Sequence, residues 1–214
     1  MRKYKFNESS FEELNSDSAY WLGVLFADGY INWNTFSSPQ TVLSLKDFDH
    51  LVKFKDFLES DFTILKQIHR SRVKLDGLHP VTYRININSS KIANDIKKYG
   101  FELELPTEEL RFNRDFWRGV IDGDGSIYFS TDRNKYERIN LSLVGSKNLL
   151  NCFSLFVQKH YPNTKAKVCK HKSIFDVKLA SKAARVIINV LYGGNPKFFL
   201  TRKMKRAITC LNKD

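Results

Sequence analysis

The sequence predicts an α+β protein made of two pseudo-symmetric αββαββα halves. Each half carries a four-stranded antiparallel sheet, and the two pack together through one motif helix apiece. Three observations predict this. A nine-residue pattern occurs twice, as Trp21-Leu22-Gly23-Val24-Leu25-Phe26-Ala27-Asp28-Gly29 and as Trp117-Arg118-Gly119-Val120-Ile121-Asp122-Gly123-Asp124-Gly125. The closing aspartates of the two copies stand 96 positions apart (124 − 28), about half of the 214-residue chain. After each copy the same order of apolar periodicities recurs, alternating for strands and three-to-four spaced for helices.

Each motif copy reads as a short helix ended by a glycine, where the chain can turn with positive φ. Each also places small residues one turn apart, Gly23 with Ala27 and Gly119 with Gly123. That spacing puts them on one helix face, where their lack of bulk lets two backbones come close. Two such helices can pack directly on each other and bring their C-terminal aspartates together.

The other elements follow in order. Residues 1–17 are a polar lead-in, and Ser16, Asp17 or Ser18 can cap the first motif helix. Residues 30–34 alternate as a half-buried strand, with Ile31 and Trp33 on the apolar face and Tyr30, Asn32 and Asn34 on the polar one. A loop with Ser37, Ser38 and Pro39 leads to a strand at 41–45, and Asp47 then caps a helix whose stripe is Leu51, Phe54, Phe57 and Leu58. The next strand places Lys66, Arg70, Arg72 and Lys74 on one face, interrupted by Ile68. Its successor alternates Tyr83, Ile85 and Ile87 with Thr82, Arg84, Asn86 and Asn88. A helix over 90–99 ends at Gly100, and the acidic, proline-bearing stretch 101–114 reads as a connector. The expected halves are therefore 1–100 and 115–214.

The second half repeats the order. After the motif helix at 115–124, a strand turns Ile127 and Phe129 inward and Ser126, Tyr128 and Ser130 outward. The next turns Ile139, Leu141 and Leu143 inward and Arg138, Asn140 and Ser142 outward. Ser146 caps a helix in which Leu150, Phe153 and Phe156 match Leu51, Phe54 and Phe57 at a constant offset of 99 (150 − 51). Strands at 165–169 and 174–179 and a further helix complete the unit. Ala180-Ser181-Lys182 answers Ser89-Ser90-Lys91, and Tyr192-Gly193 answers Tyr99-Gly100. The small drift in offset marks loop insertions within an internal duplication.

Composition narrows the partner. Seventeen Phe and nine Tyr argue against disorder, and 35 Lys plus Arg against 23 Asp plus Glu give a formal net charge of +12. A polyanion is the expected partner. Nucleic acid leads over membrane, because no basic amphipathic tail, lipidation signal or membrane-length apolar stretch occurs. Cys152, Cys169 and Cys210 lack metal-ligand spacing, and their sparse, odd count suggests a reducing compartment. The N-terminus has no apolar signal core.

Asp28 and Asp124 carry the chemistry. A carboxylate at a helix C-terminus meets the negative end of the macrodipole, at a cost of a few tenths to about 1 kcal/mol. Two side by side also repel. The arrangement makes sense if hard divalent cations such as Mg²⁺ sit between them. The competing reading is ordinary Asp-Gly turn chemistry, which a duplicated nine-residue pattern disfavours. An EF-hand is excluded. Counting from Asp122, the sixth and twelfth positions of such a loop need glycine and glutamate, where this chain has Ile127 and Arg133.

The paired stretches resemble the signature motifs of the LAGLIDADG homing endonucleases in their single-chain, two-motif form. The resemblance extends over nearly the whole chain; its one departure in the motifs is Phe26, opposite Asp122. It implies a monomeric, intracellular enzyme of bacterial, phage or organellar origin. It would cut both strands of a long, near-asymmetric DNA target with Mg²⁺ or Mn²⁺. Asp28 and Asp124 would be the metal ligands and catalytic acids, with the backbone carbonyls of Ala27 and Gly123 as further ligands. A family lysine aligns with Lys203, whose plainer reading is a surface lysine on a basic C-terminal helix. The matching first-half segment, 101–105, holds no lysine, so unequal cutting of the two strands is expected to be possible.

The outward strand positions are the candidates for DNA contact. Arg and Asn suit bidentate reading of base edges, and Lys suits phosphate. In the first half these are Asn32, Asn34, Arg70, Arg72, Lys74, Arg84 and Asn86. In the second they are Tyr128, Ser130, Arg138, Asn140, Ser142, Lys165, Lys167 and Lys178. The alternative reading is a non-cleaving nucleic-acid binder on the same fold, either an intron RNA maturase or a DNA-binding regulator.

Overall fold

The first motif helix is apolar on nearly every side and so must lie at the centre of a fold, and the second, although it carries Arg118 and Asp122, joins it there through the matching glycine face. The computed structural model, which describes residues 4–33, 38–69, 79–131, 137–171 and 174–212, places both motif helices there. Helix α1 (Ser16–Asp28) buries every residue from Ser18 to Phe26, and α5 (Arg114–Asp124) every residue from Asp115 to Asp122. They cross at their glycines. A Cβ on Gly23 would lie 2.0 Å from the Phe116 carbonyl oxygen, and one on Gly119 would lie 2.1 Å from that of Tyr20. No larger residue fits that approach.

The ends of these helices differ from expectation in two ways. The cap of α1 is Asn15, whose side chain accepts from the amides of Asp17 and Ser18. Ser18 is the third helical residue and returns the bond, its hydroxyl accepting from the Asn15 amide at 2.8 Å. Asn113 caps α5 by accepting from the amides of Asp115 and Phe116, without a return bond, since the third helical residue there is Phe116. The closing glycines do not turn with positive φ: Gly29 has φ −99° and Gly125 φ −83°. Each runs straight into a strand. Glycine is needed because a Cβ would lie 2.7 Å from the carbonyl oxygen of Leu25 or Ile121.

Each half then builds its sheet. Strands β1 (Gly29–Asn32), β2 (Gln40–Leu45), β3 (Leu65–Ile68) and β4 (Val81–Asn88) pair antiparallel in the order β1-β2-β4-β3. Strands β5 (Gly125–Thr131), β6 (Glu137–Gly145), β7 (Val168–His171) and β8 (Ile174–Ala180) pair as β5-β6-β8-β7. Helices α2 (Phe48–Phe57) and α3 (Ser90–Lys98) complete the first half, and α6 (Lys147–His160) and α7 (Ser181–Tyr192) the second. The inner faces, Leu43, Ile85 and Ile87 in one sheet and Leu141, Leu143, Val177 and Leu179 in the other, are buried. The pseudo-symmetry reaches the aromatic packing: Trp21 sits 5.0 Å from Phe54, and Trp117 sits 5.1 Å from Phe153.

Several expectations need correction. The lead-in is not merely polar: Phe11 is fully buried, and Tyr4 and Phe6 pack on Phe62. The connector carries two short elements that the sequence reading did not place, a 3₁₀ turn (Phe101–Leu103) and α4 (Glu108–Arg111). Asp47 occupies the N-cap position of α2 but makes no capping bond; its carboxylate accepts from Arg202 Nε at 3.4 Å. Strand β7 starts at Val168, so Lys165 and Lys167 precede the ladder. Lys66 pairs with Tyr83 in register and so lies on the helix-side face, not the outer one. Asn34, Arg70, Arg72 and Lys74 lie outside the described residues.

One element has no first-half counterpart. After Gly194, which takes φ +74°, the chain crosses onto the first half and then forms α8 (Thr201–Asn212). In that crossing the Phe198 ring stacks on Tyr20 at 5.8 Å and lies 5.3 Å from Trp21.

Candidate active site

Because α1 and α5 cross at their glycines, their C-terminal turns meet. A Cβ on Gly123 would lie 2.3 Å from Ala27 Cβ and 2.9 Å from Asp28 Oδ2. Asp28 and Asp124 are therefore neighbours, each partly buried. Burial pushes the Asp28 carboxyl up, while the cations Lys203, Arg202 and Lys46 pull it back. Burial, reinforced by the Asp28 charge, pushes Asp124 up to about 6. Two carboxylates in this position destabilise each other's charged forms, which is what a divalent cation would relieve.

Among the described residues, no group of three or more His, Cys, Asp or Glu could hold a metal ion. Two carboxylates with backbone oxygens nearby form a hard but incomplete donor set. Such a set fits Mg²⁺ or Mn²⁺ completed by phosphate oxygens and water, and not a structural zinc.

Lys203 is not a surface lysine: it is 6 % exposed. Its ammonium donates to the Ile121 carbonyl at 2.8 Å and to the Gly125 carbonyl. These oxygens end α5, so the cation faces the negative end of that helix, beside Asp124. Burial pulls its pKa down to about 8, against the pull of Asp122, Asp124 and Asp28.

Several groups that the sequence reading did not assign to the site take part. Lys46 and Arg202 line, with Asp28, Ser44, His50 and Asp122, a cavity of about 220 Å³ beside the motif-helix ends. Nothing in the chain order couples Arg202 to Asp28, although its place next to Lys203 was a usable signal. Asp122 is fully buried and accepts from Tyr20 Oη at 2.7 Å, Tyr192 Oη at 2.6 Å and the Leu200 amide at 2.7 Å. Since the Tyr20 proton goes to Asp122, His50 must donate its Nε2–H to Tyr20 Oη, 2.9 Å away. Burial pushes His50 down to about 3, so it stays neutral, with its buried Nδ1 unpartnered.

Strand register places the remaining candidates. Asn32, Arg84 and Asn86 lie on the outer face of the first sheet, together with Tyr30, Gln40 and Gln67. Gln40, whose amide donates to Asn88 at 2.8 Å, and Gln67 were missed, because their strands read as mostly apolar or basic runs. Tyr128, Ser130, Arg138, Asn140, Ser142 and Lys178 share the outer face of the second sheet. There Asn140 donates to Ser130 at 2.8 Å, and Lys178 pairs with Asp176 at 2.9 Å. Lys165 and Lys167 are exposed on the approach to β7. Among the described residues no helix is long and apolar enough to cross a membrane.

By sequence, no protein-family model matches the chain, and neither does any curated protein. By structure, the fold recurs in homing endonucleases. The homing endonuclease I-WcaI bound to its DNA recognition sequence matches with a TM-score of 0.64 at 14% identity, over 94% of this chain and 91% of that one. The LAGLIDADG homing endonuclease I-LtrWI bound to target DNA matches with 0.60 at 13% identity, over 95% and 89%. Mesophilic variants of the homing endonuclease I-DmoI match with 0.55 at 16% identity, over 87% and 94%. The chain has the fold these proteins share, along nearly its full length.

Proposed function

We propose that this chain, which has the LAGLIDADG fold, is a monomeric, intracellular, site-specific endonuclease that cuts both strands of a long duplex DNA target. The observation that carries the reading is the meeting of Asp28 and Asp124 at paired helix ends, between two sheets whose outer faces are polar. A net charge of +12 supports a polyanionic substrate. Outer-face Asn32, Arg84, Asn86, Arg138 and Asn140 would read base edges, with Tyr128, Ser130 and Ser142 beside them. Lys165, Lys167 and Lys178 would meet phosphates.

Asp28 and Asp124, with the carbonyls of Ala27 and Gly123, would hold Mg²⁺ or Mn²⁺. When bound, such an ion supplies Lewis acidity at the scissile phosphate and a more acidic water. The chain's own groups do the rest. Lys203, fixed by the α5 carbonyls, faces the charge that develops on the phosphate beside Asp124. Arg202 and Lys46 present cations to the Asp28 side. The buried apolar walls of α1 and α5 limit water around all of them.

The test is cleavage of a randomised duplex library in Mg²⁺ by wild type, Asp28→Asn and Asp124→Asn. A single long target cut only by wild type supports the reading. Specific binding without cutting, in Mg²⁺ or Mn²⁺, would leave a DNA-binding regulator. Selective binding of intron RNA would leave a maturase.

A further inference from the structure

The internal duplication supplies a control within one molecule. Position six of the motif is Asp122 in α5 and Phe26 in α1, and the residue that meets it from the opposite helix differs in step. Asp122 is met by Tyr20, whose hydroxyl donates to it at 2.7 Å. Phe26 is met by Phe116, the counterpart of Tyr20, ring against ring at 5.1 Å, and by Phe101 at 5.3 Å. The first half thus shows that this site can be filled by two aromatic rings. A buried carboxylate is the costlier choice unless donors occupy its lone pairs. Here two tyrosine hydroxyls and one amide use them.

What the second half has, and the first lacks, is the segment leading into α8. Three polar links tie that segment to α5, at Arg118, Asp122 and Ile121. Arg118 donates to the Phe198 carbonyl at 2.8 Å, Asp122 accepts from the Leu200 amide at 2.7 Å, and Lys203 donates to the Ile121 carbonyl at 2.8 Å. The middle link holds the start of the helix that carries Lys203. The polar pair therefore occurs only on the side that bears the buried lysine.

We infer that Asp122 is a positioning residue: by anchoring Leu200 it sets Lys203 over the end of α5, so the two strand cuts depend on it unequally. This rests on the endonuclease reading above. Lys203 is the cation facing Asp124, whereas Asp28 also faces Arg202 and Lys46. Arg202 and Lys203 both lie on α8, so loosening that helix weakens both sides, but Asp28 keeps Lys46, which lines the same cavity from the end of β2, and the cut beside Asp124 slows more.

The experiment follows each strand of an end-labelled target separately, with DNA affinity measured in parallel. The variants are Asp122→Asn, Lys203→Met, the two combined, and the double change Tyr20→Phe with Asp122→Phe, which copies the first half's aromatic pair. Loss of an outer-shell partner typically costs about 10- to 100-fold in activity. The expected result is a slowing of that order on one strand, accumulation of nicked duplex and unchanged affinity. The slowed strand is the one slowed by Lys203→Met, and the combined variant is no slower than Lys203→Met alone. Equal slowing of both strands, or effects of Asp122 and Lys203 that multiply, would overturn the inference. Should the Asp122 variants fold poorly, Tyr192→Phe removes one of the three bonds without changing volume, and it should show the same strand bias at smaller size. A wild type that cuts no duplex overturns the endonuclease reading and this inference with it. A wild type that cuts both strands while Asp122→Asn cuts them unaltered overturns the inference alone.

Discussion

Replacing Gly119 with alanine tests the helix crossing on which the site depends. The added Cβ would meet the Tyr20 carbonyl oxygen at 2.1 Å, the Val24 amide nitrogen at 2.8 Å and Gly23 Cα at 3.0 Å. All three are backbone atoms, so no side chain can swing aside. Ordinary contact begins near 3.4 Å, and the helices must part by roughly 1 Å. Overpacking of this kind costs about 1–3 kcal/mol, and a backbone clash belongs at the upper end. Alanine recovers up to about 1 kcal/mol through its helix propensity. The net expectation is a loss of ~2 kcal/mol, which lowers Tm by ~4–8 °C in a chain of this size. Because the same crossing sets Asp28 beside Asp124, cleavage well below Tm should fall as well. Gly145→Ala is the control: its Cβ would meet only the flexible Leu149 Cδ2 at 3.4 Å, so stability should change by less than about 0.5 kcal/mol. Combining Gly23→Ala with Gly119→Ala should cost less than the sum, since one opening relieves both clashes. The assay is urea and thermal unfolding with cleavage measured alongside. A Gly119→Ala protein as stable and as active as wild type would refute the close crossing.

Other outcomes follow from the same geometry. Asp124 titrates at about 6 in the metal-free fold against an ordinary 3.8, so the native state keeps a proton that the unfolded chain releases. Stability should fall as pH rises between those values. Asp124→Asn should then raise the metal-free Tm at pH 7, by about 1 kcal/mol or ~2–4 °C after solvent screening, and leave it unchanged below pH ~4. Thermal melts across pH check this, and a lower Tm for the variant at pH 7 would contradict it. Arg118 is 1 % exposed, pairs with Asp115 at 2.6 Å and donates to Phe198 and Leu191 carbonyls. Arg118→Ala should destabilise by about 3 kcal/mol in urea unfolding, the lower end for a broken buried pair, because Asp115 loses its close partner and keeps only the Ser16 hydroxyl at 2.9 Å and Arg114 at 3.9 Å. Binding to the target should weaken steeply with salt, by ~10³-fold or more between 50 and 200 mM, as measured by fluorescence anisotropy. A flat salt profile would argue against an extended phosphate-contacting face.

The fold was legible because it is written twice. Alternation and helical stripes in one half are weak signals, but their recurrence in the same order gave the sequence of the described strands and of the helices from α1 to α7, apart from the short α4. The errors fell where local chemistry has near-equivalents. Asn15, Ser16, Asp17 and Ser18 can all cap a helix, and only the reciprocal bond between Asn15 and Ser18 selects one. Gly29 and Gly125 look like left-handed stops, yet their small size serves the carbonyls behind them and not a turn. The early start assigned to β7 and the face assigned to Lys66 failed because register is set by the partner strand and not by the residues themselves.

By itself, the sequence determined that two glycine-bearing helices would end in aspartates and lie at the centre of a duplicated α+β chain with polar outer faces. Those are consequences of spacing and periodicity, which act between residues a few positions apart. Only the tertiary structure decided that Lys203 is buried against the end of α5, that Asp122 is held by Tyr20, Tyr192 and Leu200, and that Arg202 and Lys46 face Asp28. These groups come from distant parts of the chain. Their pKa values and hydrogen bonds exist only once packing has excluded water from between them, and no local pattern encodes that exclusion.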